Sequence, residues 1–164
     1  MKYWNSLPNE IKSNSTSVLH FKSKISIAIG PSSTNFKVFN KFSGFYGSTL
    51  SQMRLGLSYL RGDLFAFHLT ENPMCPLCFD AYESSIHYIC ECPVLRDPRA
   101  LLKSSLATLI PEISDLNNKN LTKLCLFGSN NVSFEVNVSV LKFTIAFVKS
   151  SNRFSRNFMT HTEH

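Results

Sequence analysis

Apolar residues recur at three- and four-residue steps along much of the chain, and clusters of Gly, Pro, Ser and Asn separate these stretches. Such spacing predicts amphipathic helices joined by polar breaks. Val18, Phe21, Ile25 and Ile29 mark a first helix, entered through the Ser/Asn/Thr run at 13–17 and stopped by Gly30-Pro31. Residues 31–47, with scattered Phe among Ser, Asn and Gly, read as a linker. Ser48-Thr49 is the next start signal, and Leu50, Met53, Leu57 and Leu60 form the stripe behind it. Gly62-Asp63 interrupts or recaps that helix, and residues 64–69 continue it.

Asn72-Pro73 turns the chain into a cysteine-rich segment, where His87 is expected on a short helix ended by Pro93. Another helix is predicted from Pro98 or Arg99 to Ile110, stopped by Pro111. Residues 117–120 read as a polar break, and 121–127 as either helix or buried extended chain. The last helix has the clearest stripe: Phe134, Val138, Leu141, Ile145 and Val148. Its second apolar row (Val136, Val140, Phe143, Phe147) implies burial on two sides or a missing partner. From Ser150 the chain is polar and basic, and fraying is expected there. The class this defines is mainly α, a small helical domain with irregular ends.

Composition narrows the choice. A 164-residue chain that is 43% hydrophobic and holds 14 Phe can build one compact core with an aromatic share. No apolar run approaches the roughly 18–20 residues needed to span a bilayer, and Met1–Asn5 does not begin like a secretory signal. An intracellular protein without a membrane partner is therefore expected, in nucleus or cytoplasm. Four of the five cysteines fall between Cys75 and Cys92, which points to metal ligation rather than a disulfide framework.

Cys75-Pro76-Leu77-Cys78 is a CxxC pair, a spacing that lets two thiolates meet one ion on a tight turn. His87 follows, then Cys90 and Cys92. Three thiolates and one imidazole close a tetrahedron, and a closed site is structural because catalytic zinc keeps a position open. Local geometry leaves the fourth ligand undecided. Cys90, three residues after His87, shares its face on a regular helix. Cys92, five residues after, lies about 140° round and reaches the metal only if the helix loosens. Cys125 sits in an apolar run and is expected in the core.

These motifs together resemble the zinc-binding region that follows the reverse transcriptase in non-LTR, LINE-like retrotransposon polyproteins. The resemblance rests on Arg54-Leu55-Gly56, then Cys75-Pro76-Leu77-Cys78, then His87-Tyr88-Ile89-Cys90-Glu91-Cys92-Pro93. Trp4-Asn5-Ser6-Leu7-Pro8 is similar to the stretch closing the thumb of those polymerases. Leu126-Phe127-Gly128-Ser129 and Asn152-Arg153-Phe154 are similar to their C-terminus. The resemblance implies one structural Zn2+ held by Cys75, Cys78, His87 and Cys92, and so selects Cys92. It divides the chain into a polymerase-closing remnant (1–30), a linker (31–47), a helical zinc module (48–111), a C-terminal helical segment (112–154) and a disordered tail (155–164). The polymerase body and its Tyr-x-Asp-Asp element are not present in the sequence.

The net charge of +6 lies mostly in residues 1–68 (+6) and 101–164 (+3), whereas 69–100 carries −3. Basic surface of this kind meets phosphate backbones. The resemblance implies a nucleic-acid-binding module, for RNA or DNA, with Arg54, Arg61, Lys103, Arg153 and Arg156 as phosphate contacts. In an intact polyprotein the partner would also be the reverse transcriptase body. The alternative is a docking fragment, or a translated remnant without function. An enzyme is not expected: two-metal chemistry needs gathered carboxylates, and Asp63, Asp80, Glu83, Glu91 and Asp97 are dispersed.

Overall fold

The computed structural model describes residues 44–155. The predicted helix at 18–29, the Trp4–Pro8 motif and Arg156 lie outside them. The chain is mainly helical, in the order α1 (Phe45–Leu55), α2 (Arg61–Ala66), a π-helical turn (His87–Glu91), a 3-10 turn (Pro93–Leu95), α3 (Arg96–Ala107), a second 3-10 turn (Pro111–Asp115), α4 (Asn118–Phe127) and α5 (Phe134–Ser150). Among the described residues the one extended pairing is an isolated antiparallel bridge, Met74 to Tyr82.

Helix α1 starts three residues before the Ser48-Thr49 signal. Those hydroxyls do not cap it. Thr49 Oγ1 donates to the Phe45 carbonyl at 3.0 Å and Ser51 Oγ to that of Gly47 at 3.0 Å, the back-bonding that hydroxyls use inside a helix. The helix also ends early, because Gly56 takes a left-handed conformation (φ 61). The Gly56 N–H then reaches the Met53 carbonyl at 3.1 Å and the Leu57 N–H that of Gln52 at 2.9 Å, a Schellman close. Leu57 and Leu60 are buried as the stripe predicts, but they enter the core from the connection rather than from the helix.

Asp63, in the first turn of α2, accepts from the Ser58 N–H at 3.1 Å and the Ser58 hydroxyl at 2.6 Å, which fixes that connection. Gly62 lets the cysteine-bearing loop lie directly on α2. Its N–H donates to the Glu83 carbonyl at 3.2 Å, and its carbonyl accepts from the Tyr82 hydroxyl at 2.9 Å. A Cβ at this position would stand 2.4 Å from Tyr82 Cε1 and 2.6 Å from the Glu83 carbonyl oxygen. Backbone cannot swing aside as a side-chain tip can. Gly62→Ala is therefore expected to cost about 1–3 kcal/mol, read as a lower urea midpoint with an unchanged slope.

Helix α3 begins at Arg96, ahead of the expected Pro98 or Arg99, because the 3-10 turn at Pro93–Leu95 feeds directly into it. Residues 117–120 are not a break. Asn117 caps α4, its side-chain oxygen accepting the Asn120 N–H at 2.9 Å, and the polar residues fill the first exposed turn. The apolar run that follows is thereby helical.

Helix α5 is capped by Ser133 through the Val136 N–H at 3.3 Å and packs on α1, α3 and α4. Its buried face is Asn137, Val140, Leu141, Thr144, Phe147 and Val148. That face lies between the two predicted apolar rows and takes members from each. Two polar residues belong to it because each finds a partner. Thr144 Oγ1 donates to the Val140 carbonyl at 2.9 Å, and the Asn137 amide clasps Ser129 through its N–H and its carbonyl, both at 2.8 Å. The remaining members, Phe134, Val136, Val138, Phe143 and Ile145, pack half-buried around the core. The helix thus has one buried face with half-buried flanks, rather than two buried sides.

One hydrophobic cluster runs from Leu50 to Phe154 and includes Cys125, buried as expected. The turn after α5 packs into the core, contrary to the fraying expected from Ser150. Phe154 is buried edge-on against Tyr88, with 5.4 Å between ring centroids, and Ser151 and Arg153 are buried beside it. No helix among the described residues is long and apolar enough to cross a membrane.

Candidate metal centre

The Cys75–Cys78 turn is closed by backbone pairing. The Cys75 N–H donates to the Ala81 carbonyl at 2.7 Å, Glu83 N–H to Pro73 at 2.9 Å, and Phe79 N–H to Cys75 at 2.8 Å. Phe79 sits at φ 59, a left-handed conformation that this tight turn requires, and is exposed. The turn aims amides at its sulfurs: those of Cys78 and Leu77 at Cys75, and those of Asp80 and Ala81 at Cys78.

His87 and Cys92 come from the π turn. The Cys92 N–H donates to the His87 carbonyl at 2.7 Å, five residues back. A π turn closes over one more residue than an α turn. That extra residue is the loosening that returns Cys92 to the His87 side. Arg99 stabilises the turn from α3: its Nε donates to the Ile89 carbonyl at 3.0 Å and its Nη2 to the Cys92 carbonyl.

The ligand atoms of Cys75, Cys78, His87 and Cys92 all lie within 4.8 Å of one another, an arrangement that one metal ion fits. Cys75 Sγ stands 3.9 Å from Cys92 Sγ, and Cys78 Sγ 3.4 Å from His87 Nε2. Cys75 and Cys92 are fully buried. Cys90 does not join them. It is buried against α4, with Sγ 3.3 Å from Thr122 Oγ1 and 3.5 Å from the Asn118 carbonyl. Of the two cysteines, Cys92 is the one that lies with Cys75, Cys78 and His87.

Burial pushes the Cys75 thiol up to about 12 and raises Cys92 as well. For Cys78, burial acts in the same direction but is outweighed by the Asp80 amide, the Cys75 thiol and the Ala81 amide, so its pKa falls. Cys78 is accordingly the readiest of the three thiols to ionise.

Glu83 is the residue that no spacing rule singles out. It is fully buried beside the cluster, with Oε1 3.9 Å from Cys75 Sγ. Its carboxylate takes a bidentate pair from Arg153, Nε to Oε1 at 2.7 Å and Nη2 to Oε2 at 2.8 Å, and the Arg61 N–H at 2.6 Å. Arg153 is therefore not the surface phosphate contact expected of it: it is 4% exposed and faces the interior. Arg54 is half-buried, donating Nε to the Leu126 carbonyl at the end of α4 and Nη1 to Ser51 Oγ at 3.3 Å. Arg61 Nη1 donates to Thr70 Oγ1 at 2.8 Å. Lys103 is exposed on α3, as a phosphate contact requires.

Comparison with family models, with curated proteins and with solved structures finds no match.

Proposed function

We propose that this chain is a structural zinc-binding module that also binds nucleic acid and has no catalytic activity of its own, derived from the C-terminal region of a non-LTR retrotransposon reverse transcriptase. The observation that carries the metal reading is the convergence of three Sγ atoms and one Nε2, from three buried residues and the half-buried Cys78. Zinc bound at about 2.3 Å to sulfur and 2.0–2.1 Å to nitrogen gives tetrahedral edges of about 3.8 Å (S···S) and 3.5 Å (S···N). The separations of 3.9 Å and 3.4 Å fit those edges. Thiolate-rich tetrahedral sites favour zinc over the harder divalent ions. The set of four is also the one the retrotransposon resemblance implies, which supports that origin.

The nucleic-acid part rests on the basic excess of the chain and on the lysines exposed on its outer helical faces, Lys103 with Lys119 and Lys123 among them. Phosphate contacts by these groups release counterions, so affinity must fall steeply with salt. The test is fluorescence anisotropy of the zinc-loaded chain with single-stranded RNA, single-stranded DNA and duplex between low and physiological salt. Binding with little sequence preference is expected, and each lysine replaced by alanine should lower the log–log slope by up to about 0.7–0.9 where it touches phosphate. No binding at low salt, or binding indifferent to salt, would remove nucleic acid from the proposal and leave a docking role.

A further inference from the structure

We propose that Arg153, from the turn after α5, is a working part of the metal centre: it offsets the charge of Glu83 beside Cys75, so that metal binding and closure of the C-terminal turn are one coupled equilibrium. This rests on the metal reading proposed for the four ligands. Once bound to an ion, Cys75 is a thiolate. Its sulfur then faces a second anion, Glu83 Oε1, at 3.9 Å, with Cys75 and Glu83 both at 0% exposure. Like charges at that range repel strongly away from water. The ion does not relieve this by itself, because three thiolates and a neutral imidazole around a divalent cation leave one net negative charge.

Arg153 supplies the opposing charge in a fixed place. Both Glu83 oxygens accept from its guanidinium, and Nη2 also donates to the Tyr59 carbonyl at 2.8 Å. The planar fork holds Glu83 in one orientation, which a point charge on a flexible stem would not do. The second ligand segment grips the same turn. Tyr88, adjacent to His87, hydrogen-bonds Ser151 Oγ at 2.6 Å and packs against Phe154. The turn at Ser151–Phe154 is thus tied to the Cys75 loop through Glu83 and to the His87–Cys92 segment through Tyr88. An ion that draws those two segments together also orders the turn. By reciprocity, a closed turn strengthens the hold on the ion.

The test uses zinc itself with the full-length chain, its affinity read by chelator competition at neutral pH. Arg153→Met is expected to weaken zinc binding by about 10–100-fold, the usual range for a group that acts on ligands without touching the ion. Adding Glu83→Gln to Arg153→Met should recover most of that loss, because no uncompensated anion then remains beside Cys75. A role in packing alone predicts the reverse, a double variant at least as weak as the single. That result, or unchanged affinity in Arg153→Met, overturns the proposal.

If Arg153→Met does not fold, the wild-type chain carries the test through tryptic cleavage after Arg153. Cleavage should be slower by at least about tenfold with zinc than after chelation, the same coupling read from the other side. Equal rates overturn the proposal. A wild-type chain that takes up no zinc overturns the metal reading and this proposal with it; zinc uptake indifferent to Arg153 overturns this proposal alone.

Discussion

Cys92→Ser is expected to abolish stable metal binding and to unfold the loop from Cys75 to Tyr82, whereas Cys90→Ser keeps one ion per chain. The two residues differ by two positions, yet their surroundings separate them completely. Cys92 Sγ belongs to the four-atom cluster, and a serine hydroxyl is a poor, reluctantly ionised substitute for thiolate toward a soft ion. Structural zinc contributes apparent binding of about 10–16 kcal/mol, as much as or more than the whole folding stability of a typical domain, about 5–15 kcal/mol. Residues 76–82 contribute no fully buried apolar side chain with which to fold unaided. Losing a ligand therefore removes most of what holds the loop.

Cys90 instead sits between Thr122 Oγ1 and the Asn118 carbonyl, where a serine hydroxyl can make the same hydrogen bonds. A cost of about 1 kcal/mol, near the centre of the distribution for point variants, is expected there. Mass measured under native and under denaturing conditions reads the outcome as the presence or absence of one ion. Metal lost from Cys90→Ser and kept in Cys92→Ser would refute Cys92 as the fourth ligand.

The second large effect is expected from ending the chain at Ser150. By sequence that cut removes only a polar, basic tail. In the structure it removes Phe154, 1% exposed, and the Arg153 partner of a fully buried Glu83. Losing a buried Phe side chain costs about 3–5 kcal/mol. Leaving one member of a buried ion pair behind costs a similar amount, about 3–5 kcal/mol. The two are in contact, with the Arg153 guanidinium carbon 5.3 Å from the Phe154 ring centre, so the losses will not simply add. Either alone is a large share of the total, and the shortened chain should be unfolded or close to it at 25 °C. Phe154→Ala separates the contributions, since it removes the ring and leaves Arg153 in place. An unchanged urea midpoint for the shortened chain would show that the turn after α5 does not hold the fold.

Much of the site is legible in the sequence. Cys75, Cys78 and His87 are marked by residue type and spacing alone, because metal ligation is a short-range demand on a few side chains. The helical class is legible for a similar reason: the period of the apolar residues acts within a turn or two of chain. Local signals mislead where several compete. Ser48-Thr49 reads as a start, yet these hydroxyls lie inside the helix, Thr49 bonding back to Phe45 where it begins. Asn117 to Asn120 reads as a break, yet Asn117 turns its side chain to cap the helix that follows.

The choice between Cys90 and Cys92 is settled by neither residue alone. On a regular helix Cys90 has the better claim, and only the π turn reverses it. That turn is held by Arg99 from α3 and by Cys90 packing into α4, both supplied by helices that follow it. The buried face of α5 has the same origin. Asn137 and Thr144 look like solvent positions, and the packing of α5 on α1, α3 and α4 makes them interior ones. Arg153 gives the sharpest contrast. Its charge places it on the surface by every local rule, because burying an unpaired cation is prohibitive. Only an anion that lies 70 positions away in the chain, and is itself buried, makes the interior accessible to it. Composition, periodicity and cysteine spacing determine the helical class of this protein and three of the four residues of the candidate metal cluster, since those depend on neighbours along the chain. The place of Cys92 in that cluster, the buried face of α5 and the place of Arg153 depend on partners that only folding brings together.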